Sequence, residues 1–171
     1  GIRDVERSRG LGDVYKRQEK KQVLNIIVLR KKFRFRCKRC AVFCCKLGGP
    51  PVTESDLKRI AKMGLNPYEY VEPLTSRHNW QIDAVGALKR KKDGSCIFLK
   101  YDESAGLYEC RIYESRPSLC RLYPFEFIRE REGIGVLRFI SCCNGLNAYG
   151  GRIIDREYIE KNLLDAILEL I

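Results

Sequence analysis

Apolar residues recur at helical spacing soon after the first third of the chain. Thr53 and Asp56 form a variant of the capping box, and Gly64 is a typical stop signal, so a helix is predicted between them. Its apolar stripe is Leu57, Ile60 and Ala61.

Two further helices are predicted from similar signals. Asn66-Pro67 combines a good N-cap with a residue favoured in the first helical turn, which predicts a short helix ending near Pro73. A C-terminal amphipathic helix is predicted from Asp155. Its apolar face consists of Ile159, Leu163, Ile167 and Leu170.

Short strand-like runs occupy much of the remaining chain. A turn at Asp93-Gly94 and the loop DESAG punctuate two of these runs and predict a hairpin. Val23–Leu29 fits either a short strand or a helix. The predicted strands are Trp80–Leu88, Cys96–Tyr101, Leu107–Tyr113 and Ile134–Ser141.

These elements predict an α+β fold in one small, irregular domain, residues 19–171. It would contain short antiparallel strands, two short helices after the first cysteine cluster and the C-terminal helix. Residues 1–18 show no helical or strand period and include GLGDVYKRQ, which resembles translated adapter sequence. We therefore predict that they are a disordered or non-native extension.

Cysteine content changes this picture, because the 171 residues include nine cysteines. No secretory signal is recognisable, and no apolar run approaches the ~20 residues that span a bilayer. The protein is therefore predicted to be cytoplasmic, with no membrane association, where clustered thiols bind metal more often than they form disulfides. Bound metal would stabilise a domain with a sparse core. The cysteines are predicted to occupy loops and strand ends, with the helices free of them.

The spacing of the first cysteines is typical of a metal half-site. Cys37-x-x-Cys40 lets a tight loop turn two sulfurs toward one ion, as in zinc knuckles and iron–sulfur sites. Adjacent cysteines normally point to different sides of a chain. Cys44 and Cys45 are therefore better suited to two neighbouring ions, or to one ion and the core, than to one tetrahedron.

Over residues 33–146 the chain resembles the YkgJ-like cysteine-cluster family, also called CxxCxxCC, whose domains are associated with zinc or iron chelation. The resemblance is carried by FRCKRCAVFCC, LGGPPVTESDLKRIA, DGSCIFLKYD, CRIYESRPSLCRLYPF and CCNG. It implies metal-binding roles for Cys37, Cys40, Cys45, Cys96, Cys110, Cys120 and Cys143, with Cys44 completing the first cluster. This chain reads CxxCxxxCC, one residue longer than the family pattern, so either the loop bulges or Cys44 replaces the first cysteine of the pair imperfectly.

The identity of the metal remains open at this stage. Eight thiolates suffice for two four-sulfur sites, with Cys142 spare, but the partition is not fixed by spacing. Zinc and iron–sulfur clusters both accept four cysteines. The abundance of thiols and of nearby aromatic residues favours an iron–sulfur cluster slightly.

The net charge of +11 suggests an acidic partner. Seven basic residues lie in Arg30–Arg39, where compensation of thiolate charge, contact with nucleic acid and a solvated face are all compatible. Arg111, Arg116 and Arg121 fit charge compensation, although Arg116-Pro117 also fits a structural corner. The alternative function is thus a zinc-stabilised nucleic-acid-binding module that uses Arg30–Arg39.

An enzymatic function has little support from the sequence. His78, the single histidine, lies in a polar stretch and is interpreted as a solvated loop residue. No phosphate-binding glycine loop or nucleophile motif is present, and no catalytic residue is assigned. The oligomeric state does not follow from the sequence.

Overall fold

The computed structural model describes the backbone of residues 14–19, 22–28, 33–74, 82–131 and 134–170, and the side chains of residues 33–74, 82–128 and 136–170. His78 and Trp80 lie outside the described residues, as do the first three residues of the basic segment Arg30–Arg39.

The described residues form short helices and strands in an α+β arrangement, as predicted. The helices are α1 Glu54–Ala61, α2 Pro67–Tyr70, α3 Ser118–Leu122, α4 Arg156–Asn162 and α5 Leu164–Leu168. The strands are β1 Val14–Glu19, β2 Gln22–Val28, β3 Arg34–Phe35, β4 Pro51–Val52, β5 Val71–Glu72, β6 Gly86–Leu88, β7 Leu99–Asp102, β8 Leu107–Cys110, β9 Phe125–Arg131, β10 Ile134–Phe139 and β11 Arg152–Ile153.

The strands form several small sheets. One has the order β1-β2-β10-β9, in which β2 and β10 are parallel and the other pairs antiparallel. The others are β4-β6-β5, β11-β3 and the hairpin β7-β8, all antiparallel. None of the helices in the described part of the chain is long and apolar enough to cross a membrane.

The capping signals correctly locate α1 and α2. Thr53 Oγ1 accepts the Asp56 N–H at 3.2 Å, and Asp56 Oδ2 accepts the Thr53 N–H at 3.0 Å, which completes the predicted capping box. Asn66 caps α2 through the Tyr68 N–H at 3.2 Å. This helix ends at Tyr70, three residues before the predicted end at Pro73.

The C-terminal helix is divided at Leu163 into α4 and α5. Asp155 caps α4, as predicted. Backbone hydrogen bonds from Leu163 to Ile159 and from Ile167 to Leu163 continue across the division, so the apolar face is preserved. All four residues predicted for that face are buried.

Several strand predictions need correction. Trp80–Leu88 was predicted as one strand, but of its described residues only Gly86–Leu88 is extended and paired. A Cβ at Gly86 would lie 2.6 Å from Val71 Cγ1, so this segment is pressed closely against its neighbour. Val85, predicted as core, is instead 55% exposed.

Other differences concern the two ends of the four-stranded sheet. Val14–Glu19 pairs with β2, which corrects the prediction that residues 1–18 lack a strand. Whether that segment is native stays a prediction. Strand β9 was missed, although FEFIRER alternates apolar and polar residues as a half-buried strand does. The predicted β7-β8 hairpin and the strand beginning at Ile134 are confirmed with shorter bounds.

Buried apolar side chains form two clusters. The helical cluster comprises Leu122, Phe125, Leu137, Ile154, Ile159, Leu163, Leu164, Ala166, Ile167 and Leu170. The hairpin cluster comprises Ala41, Val52, Ile60, Tyr70, Leu88, Cys96, Phe98, Leu99 and Ile112. Both clusters reach the cavity described below.

A buried polar network joins α1 to α3 and to the C-terminal segment. Asp56, with no exposed surface, accepts the Ser118 N–H at 2.9 Å and pairs with Arg59 at 2.5 Å. Ser118 Oγ contacts the carboxylates of both Asp56 and Glu169. Arg59 also pairs with Glu169 at 2.7 Å and donates to the Arg116 carbonyl at 3.0 Å. The network fixes the first turn of α3, where Cys120 lies.

Candidate metal centre

A cavity of about 700 Å³ lies where the two apolar clusters meet. Leu88 and Phe98 of the hairpin cluster form part of its wall, and Leu163 of the helical cluster forms another part together with Phe35. Aromatic and aliphatic side chains thus surround a space that is open to solvent on one side, near the exposed residue Cys37.

The cavity wall includes the eight cysteines for which the sequence predicted metal binding. They are Cys37, Cys40, Cys44, Cys45, Cys96, Cys110, Cys120 and Cys143. The ninth, Cys142, is exposed and is not part of the wall. All nine, each within the described residues, are free thiols.

The first cysteine segment follows a wide turn. Arg39 and Ala41 have φ angles of 51° and 56°, in the left-handed region. The Arg39 N–H donates to Cys37 Sγ at 3.4 Å, and the Lys46 N–H donates to the Ala41 carbonyl at 2.9 Å, closing a turn five residues wide. This geometry agrees with the first alternative for the additional residue, a bulged loop.

A similar thiol-centred turn forms at Cys143. The Gly145 N–H donates to Cys143 Sγ at 3.4 Å, the same spacing along the chain as the contact at Cys37. The Arg36 N–H donates to the Gly145 carbonyl at 3.0 Å and so holds this turn beside the first cysteine segment. Hydrogen bonds from backbone N–H groups to sulfur favour the thiolate form and are common around metal-bound cysteines.

Replacing Gly145 with alanine is expected to separate these two turns. A Cβ there would lie 2.6 Å from the Arg36 carbonyl oxygen and 2.8 Å from the Phe35 ring, so the backbone must shift. We expect a loss of about 1–3 kcal/mol in the free energy of unfolding. Cys37 and Cys143 should also be alkylated several-fold faster.

Gly106→Ala is the matched control for that substitution. Gly106 has a φ of 64° but its nearest neighbour lies 4.0 Å away, so alanine there adds backbone strain without a clash. Its stability loss should be similar, about 1–2 kcal/mol, while the alkylation rates of Cys37 and Cys143 stay unchanged. Equal alkylation rates in the two variants would contradict the role assigned to Gly145.

The remaining thiols come from the other side of the cavity. The Cys96 N–H donates to the Cys45 carbonyl at 2.8 Å, and Cys110 ends β8 opposite Leu99. Cys120 lies within α3, which corrects the prediction that the helices are free of cysteine. The sequence RPSLC gave no clear helical period because α3 has only five residues.

Burial is the main influence on these thiols. It raises the pKa values of Cys96, Cys110, Cys120 and Cys143 above the ordinary range, because a charged sulfur is poorly solvated there. Cys44 differs. A hydrogen bond with the Cys45 thiol lowers the pKa of Cys44 to about 7 and raises the pKa of Cys45. The adjacent thiols therefore face each other, contrary to the expectation that they point to different sides.

Arg116 is the cation most closely associated with the thiols. Its charge works to lower the pKa values of Cys44, Cys110 and Cys120. The guanidinium lies 3.6 Å from the centre of the Tyr113 ring, and its Nε is buried without a hydrogen-bond partner. This position agrees with the charge-compensating role predicted for Arg116. Arg121 also lines the cavity but pairs with Glu169, and Arg111 is exposed outside the cavity wall.

The described part of the basic segment Arg30–Arg39 is partly engaged within the protein. Arg34 donates to the Gly151 carbonyl at 3.1 Å, and Arg39 pairs with Glu109 at 2.5 Å. Lys38 and Arg39 lie on the cavity wall. Contact of this segment with nucleic acid or another acidic partner stays a prediction.

The thiols do not form a ready coordination sphere. Within the part of the chain that the structure describes, no three His, Cys, Asp or Glu side chains are grouped closely enough to hold one metal ion. The shared feature of the eight cysteines is therefore their position on one wall.

Together, the small α+β fold and the thiol-lined cavity define a cysteine-cluster domain. The chain belongs to the CxxCxxCC family, described as a "Putative zinc- or iron-chelating domain", whose model matches residues 36–143. The family predicted from the cysteine spacing is thus confirmed.

One curated relative is itself uncharacterized. The protein MJ0661 of Methanocaldococcus jannaschii is 32% identical over 128 residues, which cover 72% of this chain. The match covers 64% of that relative, so the chain spans less than two thirds of its length. No solved structure matches the chain.

Proposed function

We propose that this protein is a metal-binding protein in which the eight cavity cysteines hold iron–sulfur clusters or zinc. The observation that carries the proposal is the selective position of the thiols. Eight of the nine cysteines, from distant parts of the chain, line one cavity, while Cys142 lies outside it. A sparse core alone gives no reason for such convergence, whereas thiolate ligation requires it.

The donor chemistry fits such a group. Free thiols on a largely apolar wall lose their protons when a cation binds, and the cation offsets the cost of burying thiolate charge. Arg116, with its unpartnered Nε, supplies a further positive charge beside Cys44, Cys110 and Cys120. Ligation requires the sulfurs to converge from their present positions, and unlike-charge attraction would drive that convergence.

Iron–sulfur clusters suit the cavity better than single zinc ions. A zinc ion lies about 2.3 Å from each of its sulfurs and needs little free space. The cavity of about 700 Å³ has room for polynuclear clusters, and its aromatic wall would limit access of water. When bound, a cluster would supply electron transfer or structural cross-linking, whereas zinc would supply cross-linking alone. The free state of all nine thiols supports the cytoplasm as the compartment.

Anaerobic purification of the chain, followed by elemental analysis and absorption spectroscopy, tests this proposal. We expect stoichiometric iron with acid-labile sulfide and broad visible absorption from sulfur-to-iron charge transfer. Stoichiometric zinc in a colourless protein would overturn the preference for iron but support metal binding. A folded protein with neither metal would overturn both.

A further inference from the structure

We infer that the eight thiols form two separate metal centres of unequal accessibility, an inference that rests on the proposed metal binding. The inner centre takes Cys45, Cys96, Cys110 and Cys120. The outer centre takes Cys37, Cys40, Cys44 and Cys143.

The inner set is linked by the fold on the closed side of the cavity. The backbone bond from Cys96 to the Cys45 carbonyl, 2.8 Å long, brings these two residues together. The Arg111 N–H donates to the Phe98 carbonyl at 3.0 Å and holds the end of β8, with Cys110, against the Cys96 segment. The charges of Cys96 and Cys110 both act on Cys120, which shows that these sulfurs are neighbours.

The outer set is built from the two thiol-centred turns. Cys37 and Cys143 each accept a hydrogen bond from the N–H two residues later, at 3.4 Å. The bond from Arg36 to the Gly145 carbonyl ties these turns together. The thiols that act electrostatically on Cys143 are Cys40, Cys37 and Cys44, all from the first cysteine segment.

Cys44 is assigned to the outer centre because its neighbour Cys45 completes the inner four. The Cys44 charge acts on Cys143 as well as on Cys110 and Cys120, which places it between the two sets. The adjacent pair Cys44-Cys45 would thus serve two neighbouring centres.

Accessibility follows from burial. Cys96 in the inner set is 6% exposed, whereas Cys37 in the outer set is classed as exposed. A chelator or an alkylating reagent should therefore reach the outer centre first, and the inner centre should persist after the outer one is lost.

Metal content of single variants tests the partition. Cys37→Ser, at the exposed edge, is expected to retain half of the metal bound by the unaltered protein, whatever the metal is. Cys142→Ser, outside the cavity, is the matched control and should retain all of it. Loss of all metal in Cys37→Ser, or full retention, would overturn the partition.

A second measurement needs no substitution and so is independent of variant folding. The metal-loaded native chain is treated with ethylenediaminetetraacetic acid and iodoacetamide, and each cysteine is followed by peptide mass spectrometry. Cys37, Cys40, Cys44 and Cys143 should become alkylated together, at least tenfold faster than Cys45, Cys96, Cys110 and Cys120. Simultaneous alkylation of all eight would overturn two centres but leave metal binding intact. Absence of metal from the untreated chain would instead contradict the proposed function.

Discussion

Replacing Cys120 with serine should remove part of the bound metal and lower the free energy of unfolding by about 3 kcal/mol or more. Structural zinc contributes roughly 10–16 kcal/mol to small domains, and one of four ligands accounts for about a quarter of that. Cys120 is assigned to the inner centre within α3, so its loss also leaves three buried thiolates without their full partner set. Metal content and chemical denaturation, measured anaerobically on the same sample, check both effects.

Cys142→Ser is the control for that substitution, because it makes the same chemical change one residue from Cys143 but outside the cavity. Cys142 is exposed, and serine there should leave metal content unchanged and stability within about 0.5 kcal/mol. Equal stability and equal metal content in the two variants would mean that position on the cavity wall has no bearing on ligation.

Asp56→Ala is expected to cost about 3–5 kcal/mol, because it breaks a buried network of charges and hydrogen bonds. The carboxylate accepts the Thr53 N–H at 3.0 Å and the Ser118 N–H at 2.9 Å, and it pairs with Arg59. Its loss would leave buried donors unsatisfied. Because Ser118 opens α3, metal retention at the inner centre should fall as well.

Glu54→Ala provides a matched control on the same helix. Glu54 and Lys58 form an exposed ion pair at 2.8 Å, a type that contributes little in water. We expect no measurable change in unfolding or in metal content. If Asp56→Ala proved as mild as Glu54→Ala, the network would not be what holds α3 in place.

Local signals were the most reliable part of the sequence. The capping box at Thr53, the Asn66 cap and the Asp155 cap each depend on contacts within a few residues, and each occurs in the structure. The CxxC spacing and the family resemblance likewise identified the eight cysteines that share the cavity wall.

Long-range contacts explain most of what the sequence could not give. Asp56 was interpreted as a surface charge at a helix start, yet Ser118, 62 residues away, lines its burial site. The helix containing Cys120 is too short to show a period and is held by that same contact. Strand Gly86–Leu88 is limited by its two neighbours, and not by the longer apolar run in which it lies.

X-ray absorption at the metal edge of the anaerobically purified chain tests the central claim most directly, because it reports which atoms surround the metal. The account predicts a first shell of sulfur alone, four per metal, at about 2.3 Å if the metal is zinc. A first shell of nitrogen or oxygen, or a folded chain without stoichiometric metal, would contradict it.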